Sequence, residues 1–374
     1  MKFKVPGKTF QTHLQAVNKV MNSKNTITAL DNFLLKIEGN TLWITGSDSE
    51  NTMMTHLEIF EVEGEGEVAV PSKTIIDITK EIGNQPITFE MDDTNFHIEI
   101  NYMNGHFEFM GENGNEYPKR EEDNEGKRMM VVPAEVVAKG IEHTIFAVSS
   151  EIIRPMMTGI FWDIKENEIV FVSTDTHKLV RYINRQVAPG FEGGFILPSK
   201  PASIIRSVIS KEDTEVNIAL SSRGATFEVG DYSISCKFIK GTYPNYNRVI
   251  PKDSPYTLTI NRETMLNALR RVALVASKAT SLVKLHVSPS ALKLTTRDFD
   301  YAKQGEETVE CTYDGEEMTI GFSTQYMIEI LSSLDCEDIY VKLADPARPG
   351  LFQPLEQKPD EDIVILQMPI QVLE

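Results

Sequence analysis

The sequence predicts an α+β protein built from three tandem copies of one domain. Two observations support this prediction: similar stretches recur at a constant interval, and every copy has the same order of strand-like and helix-like patterns. "VAVPSKTIIDITKEI" at 68–82 recurs as "FILPSKPASIIRSVI" at 195–209 and, more weakly, as "IGFSTQYMIEILSSL" at 320–334. A repeat of roughly 125 residues has the size of a whole domain and is too long for a solenoid unit.

Other sequence positions keep the same interval. They are Asp48, Asp175 and Asp298 at the ends of strand-like stretches, and Pro118, Pro244 and Pro369 near the ends of the copies. Charged or proline-containing linkers separate the copies, so we predict domains at 1–122, 128–252 and 254–374. A chain of 374 residues with 41% hydrophobic residues is sufficient for three cores of ordinary size.

The first half of the first copy begins with a short strand, "FKV". A helix follows in "KTFQTHLQAVNKVM", because Phe10, Leu14, Val17 and Met21 recur at helical spacing. Three strand-like runs come next: "NFLLKIEG", "TLWITGS" and "TMMTHLEIF". The pattern predicts a module of one strand, one helix and three strands.

The second half of the copy repeats this module. "EVAV" is a strand, and "PSKTIIDITKEI" is a helix whose Pro71 and Ser72 suit a first turn and cap. Three further strands end with "HFEFM", in which Phe107 and Phe109 alternate with polar residues. Each domain therefore holds two modules, with helices on one face of antiparallel sheets.

Several functional classes lack support in the sequence. There is no nucleotide-binding, metalloprotease or paired-cysteine motif, and the acidic loops "EGEGE" and "REEDNE" do not have EF-hand spacing. We expect no metal and no cofactor. "STDTHKL" at 173–179 brings Ser, Asp and His together and leaves an enzyme as one alternative, although a polar turn is favoured. Three cysteines, no apolar run long enough for a membrane and no signal peptide predict a cytoplasmic protein with free thiols.

The charge is unevenly distributed. The net charge of −18 argues against an open nucleic-acid-binding surface. The six helical windows, at 8–24, 71–82, 133–150, 198–211, 261–278 and 322–334, nevertheless sum to +7, which leaves −25 for the rest. The helices could therefore face a polyanion while the sheets face solvent.

These features, together with "YPNYNRVIP" at 243–251 and "MPI" near the C-terminus, resemble the bacterial sliding clamps, the β subunits of replicative DNA polymerase III. The resemblance covers the whole chain. It implies a head-to-tail homodimeric ring with helices lining the hole and sheets outside. Such a ring would encircle double-stranded DNA without sequence specificity and tether the replicative polymerase, the clamp loader and repair proteins through short peptide motifs. The alternative is a ring- or crescent-shaped protein-binding scaffold that does not encircle DNA.

The resemblance also implies three sets of site residues. The DNA-facing candidates are Lys24, Lys73, Lys80, Lys139, Lys200, Arg206 and Lys278. The candidates for the partner-peptide groove are Arg154, Met157, Thr174, Thr176, His177, Leu179, Pro244, Arg248, Val249, Met368, Pro369 and Ile370. The candidates for the dimer interface are Phe107, Phe109, Ala273 and Leu274.

The chain departs from the family pattern near the groove. The family often has Gly where this chain has Thr176, Arg where it has Lys178, and an aromatic residue near Pro155 and Met156. The tail also extends past the usual end, by the two residues at 373–374. These departures concern the shape and peptide preference of the groove.

Overall fold

The computed structural model describes residues 1–119 and 126–372. The acidic loop "REEDNE", most of the linker at 121–127 and the last two residues of the tail lie outside this range. The chain forms two compact units. Unit 1 comprises Met1–Val137 and Lys200–Phe238, and unit 2 comprises Ala138–Ser199 and Ile239–Glu374.

The first copy contains two of the predicted modules. Its elements are β1 (Lys2–Pro6), α1 (Gly7–Asn18), β2 (Asn32–Glu38), β3 (Thr41–Ser47), β4 (Asn51–Glu58), β5 (Phe60–Glu63), β6 (Gly66–Pro71), α2 (Ser72–Ile82), β7 (Pro86–Met91), β8 (His97–Tyr102), β9 (Gly105–Met110) and β10 (Glu112–Asn113). The short strands β5 and β10 are additions to the predicted order of one strand, one helix and three strands.

The second and third copies repeat this order. The second contains β11 (Arg128–Pro133), α3 (Ala134–Thr144), β12 (Gly159–Lys165), β13 (Glu168–Thr174), β14 (Lys178–Asn184), β15 (Gly193–Pro198), α4 (Ser199–Val208), β16 (Glu215–Leu220), β17 (Gly224–Val229) and β18 (Tyr232–Lys237). The third contains β19 (Tyr256–Asn261), α5 (Arg262–Ala273), β20 (Leu282–Ser288), β21 (Ala291–Asp298), β22 (Lys303–Glu310), β23 (Thr312–Tyr313), β24 (Met318–Ser323), α6 (Thr324–Ser333), β25 (Asp338–Leu343), β26 (Gly350–Pro354) and β27 (Glu361–Gln367). The predicted α+β fold of repeated modules is confirmed.

Helix α1 is shorter than the sequence pattern predicts. Phe10, Leu14 and Val17 are buried as expected, but the helix ends at Asn18, before Met21. The next three amides bond to carbonyls three residues earlier, which tightens the last turn. Gly46 on β3 lets the last turn of α1 pack closely against this strand, because a Cβ at position 46 would lie 2.7 Å from Val17.

The start of α2 also differs from the prediction. Pro71 occupies the N-cap position and Ser72 does not cap the helix; its hydroxyl donates to the Asp31 carbonyl at 2.6 Å. Proline has no side-chain acceptor for the first helical amides. Two later helices are capped in the ordinary way, since Asn261 accepts from Thr264 N and Ser323 from Tyr326 N.

The sheets extend across the boundaries between copies. Unit 1 has a five-stranded sheet, β5-β1-β7-β8-β9, and a nine-stranded sheet, β10-β6-β2-β3-β4-β18-β17-β16-β11. Unit 2 has a nine-stranded sheet, β15-β12-β13-β14-β27-β26-β25-β19-β23, and a four-stranded sheet, β22-β21-β20-β24. We call the antiparallel pairing of β4 with β18 junction 1 and that of β14 with β27 junction 2. Each junction joins strands of two consecutive copies.

The cores are apolar in both units. Buried aromatic side chains include Phe3, Phe10 and Phe33 in unit 1, and Trp162 and Phe322 in unit 2. Within the described part of the chain, no helix has the length and apolar character needed to cross a membrane.

Candidate functional site

One face of the nine-stranded sheet in unit 2 carries an apolar cluster. Its buried members are Val170, Val172, Leu179, Ile183, Ile196, Tyr243, Tyr246, Leu351, Val364 and Leu366, and Met156, Phe161, Ile239 and Ile250 pack against them. Leu179 lies directly opposite Leu366 across junction 2. The cluster therefore contains one of the residue pairs that join the second copy to the third.

Two tyrosines of the "YPNY" stretch belong to this cluster. Tyr243 stacks on Phe161 with ring centroids 4.8 Å apart, and the Tyr246 hydroxyl donates to Asp163 Oδ2 at 2.7 Å. Burial raises the pKa of both phenols, and the Asp163 carboxylate raises that of Tyr246 further. Both hydroxyls therefore stay protonated at neutral pH. Pro244, between the two tyrosines in sequence, is exposed.

The "TDTHKL" turn follows β13 and leads into β14. The Thr174 hydroxyl donates to the Lys178 carbonyl at 2.8 Å, and Asp175 Oδ1 accepts from the amides of His177 and Lys178 at 2.9 and 2.8 Å. Thr176 and His177 are exposed at the tip. Thr176 has a φ of 78°, a left-handed conformation that is unfavourable for a β-branched residue.

The C-terminal tail docks beside this turn. The Met368 amide donates to the His177 carbonyl, and the Ile370 amide donates to the Gly321 carbonyl, both at 2.8 Å. A Cβ at Gly321 would lie 2.6 Å from the Ile370 carbonyl oxygen, so glycine permits this approach. Gln367 is fully buried, and its side-chain amide donates to the Ser323 carbonyl at 3.2 Å.

The structure brings the groove candidates into one unit but exposes them unequally. Thr174 and Leu179 are buried; Met157, Pro369 and Ile370 are half-buried; Arg154, Thr176, His177, Pro244, Arg248, Val249 and Met368 are exposed. Val249 is 53% exposed, and its neighbour Ile250 is the residue that packs on the apolar cluster. Sequence reasoning missed Ile152 and Ile153, which are 85% and 88% exposed just before Arg154. Two consecutive isoleucines beside charged residues were the available signal.

The enzyme alternative for "STDTHKL" is wrong. Ser173 is fully buried and its hydroxyl donates to the Thr144 carbonyl. Asp175 binds the turn amides and Lys178, and the His177 ring stacks on Tyr326. A nucleophilic triad needs the three side chains hydrogen-bonded in series, and these three point to different partners. No group of side chains suited to a metal ion occurs among the described residues.

The DNA-facing candidates differ in how they are engaged. Lys24, Lys73, Lys80 and Lys278 are exposed and make no ion pair within residues 1–119 and 126–372, whereas Arg206 is half-buried on α4. Lys139 Nζ lies 3.1 Å from Glu361 Oε1, and Lys200 Nζ lies 2.6 Å from Asp48 Oδ2. A phosphate would have to compete with a carboxylate for these last two cations.

The six α-helices of the described residues carry less positive charge than the sequence windows. They contain nine Lys and Arg residues and six Asp and Glu residues, a net of +3. Lys19, Lys24, Lys211 and Lys278 follow helix ends and account for the difference from +7. The separation of charge between helices and sheets keeps its sign but is smaller than predicted.

Two of the dimer-interface candidates lie at an open sheet edge, and the other two lie at the end of a helix. Phe107 and Phe109 are half-buried on β9, the edge of the five-stranded sheet in unit 1. Ala273 ends α5 in unit 2, and the next residue, Leu274, is 83% exposed. Sequence reasoning missed Phe299 and Tyr301, which are 77% and 73% exposed between β21 and β22. Two aromatic residues in an otherwise polar turn were the signal.

Comparisons with known proteins agree over the whole chain. Family models described as the N-terminal, central and C-terminal domains of the DNA polymerase III beta subunit match residues 1–121, 131–245 and 247–371. Proteins named beta sliding clamp are similar: that of Caulobacter vibrioides is 28% identical over 382 residues with 100% of both chains covered, and that of Staphylococcus epidermidis is 25% identical over 380 residues with 99% of both covered. The solved DnaN sliding clamp of Pseudomonas aeruginosa bound to griselimycin has a TM-score of 0.93 at 23% identity, and the Bacillus subtilis clamp 0.91 at 22%, each with full coverage of both chains.

Proposed function

The chain belongs to the DNA polymerase III beta subunit family, the bacterial sliding clamps, and from this premise we propose that two copies join head to tail into a ring around duplex DNA. A sliding clamp is a processivity scaffold and catalyses no reaction. It keeps a polymerase on its template because a closed ring cannot leave DNA sideways. Weak phosphate contacts, which carry no sequence information, then suffice for sliding. We place this activity in the cytoplasm, where bacterial replication occurs.

The observation that carries the dimer is the pair of open edges at β9 and β22. At both junctions, the third strand of a domain's first module pairs with the third strand of the next domain's second module: β4 with β18, and β14 with β27. Of the six strands in these positions, β9 and β22 lie at the edges of their sheets. A second copy offers each open edge the kind of partner that the other four strands already have.

Junction 1 also supplies a register for this third pairing. Ile234 on β18 lies opposite Met53 on β4. When the hairpin β17–β18 is aligned with β8–β9, Ile234 corresponds to Phe107. When β3–β4 is aligned with β21–β22, Met53 corresponds to Gly305. Phe107 would therefore face Gly305 of a second copy. A Cβ at Gly305 would lie 2.6 Å from Val275, just after α5. Glycine at 305 thus lets Val275 pack closely against β22. Phe107 would lie on the same face of the continued sheet and bury exposed apolar surface at Leu274.

The ion pair at junction 1 supports the same arrangement. Lys200 there binds Asp48, which is 6% exposed as a side chain. The corresponding residues of the open edges are Lys73, which is exposed, and Asp298, which is 7% exposed and makes no ion pair in the described part of the chain. A second copy would bring Lys73 to Asp298. The recurrent lysine of "PSK" then has a role at the junctions in addition to its proposed place among the DNA-facing residues.

A cross-linking experiment tests the register. Ser235 opposite Thr52 at junction 1 corresponds to Glu108 opposite Gln304 of a second copy. We expect the double variant Glu108→Cys with Gln304→Cys to give covalent dimers with a short bis-maleimide, while each single variant and Glu108→Cys with Glu310→Cys do not. Sedimentation of the unmodified protein reports dimerisation separately. Covalent dimers formed only by Glu108→Cys with Glu310→Cys would reject the register. A monomer at high concentration would reject the ring.

Retention on DNA distinguishes a clamp from a scaffold that does not encircle DNA. The protein is loaded onto closed circular DNA first and cross-linked afterwards. The cross-linked ring should then remain on the circular DNA in high salt and leave the same DNA after it is linearised. A scaffold would show no difference between the two. The net charge of −18 predicts weak binding of the free protein to short linear duplexes.

We further infer that unit 2 holds a groove for short apolar-aromatic peptides of polymerases, the clamp loader and repair proteins. Met368 of the docked tail bonds to His177, and Pro244 and Val249 directly follow or precede members of the apolar cluster in the chain. An apolar pocket with a polar rim suits such peptides. Reversible exchange of partners calls for roughly micromolar affinity. Deleting residues 368–374 should abolish binding of a labelled peptide containing Gln, Leu and Phe and leave the dimer intact. If fluorescence anisotropy shows unchanged peptide affinity, the proposed groove is rejected and the proposed ring is unaffected.

A further inference from the structure

A buried charged cluster lies beneath the turn that carries His177. Lys178 is 4% exposed, and its ammonium lies 2.6 Å from Asp175 Oδ2 and 3.1 Å from Glu329 Oε2. The same ammonium lies 4.1 Å from the centroid of the Tyr326 ring. An unpaired buried cation would be strongly destabilising, and two carboxylates and an aromatic face compensate this one.

The cluster ties the turn to two other segments of unit 2. Asp175 and Lys178 are part of the turn, whereas Glu329 and Tyr326 belong to α6. The tail joins at the same place, because the Met368 amide donates to the carbonyl of His177. The exposed groups at this end of the groove, Thr176, His177 and Met368, are therefore held by a charge contact that lies under them.

Junction 1 shows that the fold does not require this arrangement. There the corresponding aspartate, Asp48, accepts hydrogen bonds from Asn51, which occupies the position of Lys178, and its cation is Lys200 of α4. At junction 2 the cation is Lys178 of the turn, and helix α6 supplies the carboxylate of Glu329 instead of a cation. Only junction 2 adjoins the proposed groove.

We propose that Lys178 is a positioning residue of the peptide groove. It is too deeply buried to touch a partner peptide. It acts through the turn, by keeping the tip of the turn and the first tail residue in the arrangement that accepts the peptide. This inference rests on the proposed groove.

The test compares peptide affinity with stability in full-length dimers. Lys178→Met keeps the apolar stem and removes the charge, so the Kd for a labelled Gln-, Leu- and Phe-containing peptide should rise about tenfold. Lys178→Arg restores the charge and should return the Kd to within about threefold of the original. Asp48→Asn alters the corresponding site at junction 1 and should leave the Kd unchanged. Glu329→Gln, which keeps Lys178 and Asp175, should raise the Kd about threefold and serves if Lys178→Met fails to fold.

The outcomes separate the inference from the groove itself. If the tail deletion abolishes binding but Lys178→Met and Glu329→Gln leave it unchanged, Lys178 has no positioning role and the groove stands. The inference is also overturned if Lys178→Met lowers the Tm and the affinity but Lys178→Arg restores only the Tm. If the unaltered protein binds no such peptide, the groove and the inference are both lost.

Discussion

Junctions 1 and 2 have the same backbone pairing and different side chains. At junction 1 Thr52 lies opposite Ser235, and at junction 2 Leu179 lies opposite Leu366. The leucines belong to the apolar cluster, whereas Thr52 lines a pocket of about 390 Å³ together with Trp43, Met54 and charged residues. The repeated fold thus supplies two equivalent surfaces, and the side chains at one cross-strand pair contribute to the difference between them.

The residues near the end of each copy add to this difference. In unit 2 Tyr243 and Tyr246 cover the sheet face with two rings. In unit 1 the corresponding Tyr117 is buried in a smaller cluster with Leu30, Leu34 and Ala69. A surface such as the proposed groove therefore need not recur with the repeat, because it would depend on a few apolar residues that the fold tolerates without requiring.

The largest effect is expected when the central side chains of junction 2 are replaced by those of junction 1. Leu179→Thr with Leu366→Ser should weaken peptide binding by at least about a hundredfold, because the apolar cluster beneath the proposed groove loses two buried leucines. Unfolding should also become easier by roughly 2–5 kcal/mol or more, from the lost burial. Anisotropy titration and urea denaturation measure the two effects. Thr52→Leu with Ser235→Leu is the matched control at junction 1 and should leave peptide affinity unchanged; retained binding in the first variant would contradict the groove.

A second prediction uses pH to separate the ion pairs of Asp48 and Lys178. Burial would raise the pKa of Asp48, but hydrogen bonds from Lys200 and Asn51 outweigh it and lower the pKa below 3.8. Burial would lower the pKa of Lys178, but Asp175 and Glu329 outweigh it and raise the pKa above 10.5. The stability from Asp48 is therefore present above its unfolded pKa and lost as the pH falls through the lowered value. The stability from Lys178 is present below its unfolded pKa and lost as the pH rises through the raised value.

Urea midpoints measured from pH 3 to pH 11 test this assignment. The destabilisation by Asp48→Asn, roughly 1–3 kcal/mol at neutral pH, should shrink at the acid end. The destabilisation by Lys178→Met should shrink at the alkaline end. Equal pH dependence of the two variants would show that the ion pairs do not act separately.

The smallest expected effect concerns the turns beside the two junctions. Thr176 and its counterpart Ser49 both have positive φ, at 78° and 73°. Replacing each by Gly should relieve strain and raise the stability by up to about 1 kcal/mol, partly offset by the greater freedom of the unfolded chain. The gain should be larger for Thr176→Gly, because threonine is β-branched. The shift in urea midpoint measures the change. If both variants lose stability, the Thr176 and Ser49 side chains stabilise the folded protein by more than the backbone strain destabilises it.

Local patterns predicted the modules well because their signals are local. Phe10, Leu14 and Val17 lie on one face of α1 wherever that helix packs, and alternation on β9 distinguishes its two faces. The nine-stranded sheets could not be predicted in the same way, since β4 and β18 are far apart in sequence and no short pattern encodes their pairing. The pairing of Lys200 with Asp48 and of Lys139 with Glu361 escaped prediction for the same reason.

The sheet that continues across junction 1 has a consequence for synthesis on the ribosome. Strand β4 has no neighbour on one side until β18, at Tyr232–Lys237, has been translated and has left the exit tunnel. At bacterial elongation rates this takes roughly ten to forty seconds. During that time the nascent first domain presents an unpaired strand with apolar residues such as Met53 and Met54, the kind of edge that invites aggregation. Slower translation of the second domain should therefore lower the yield of folded protein, even though no residue has changed.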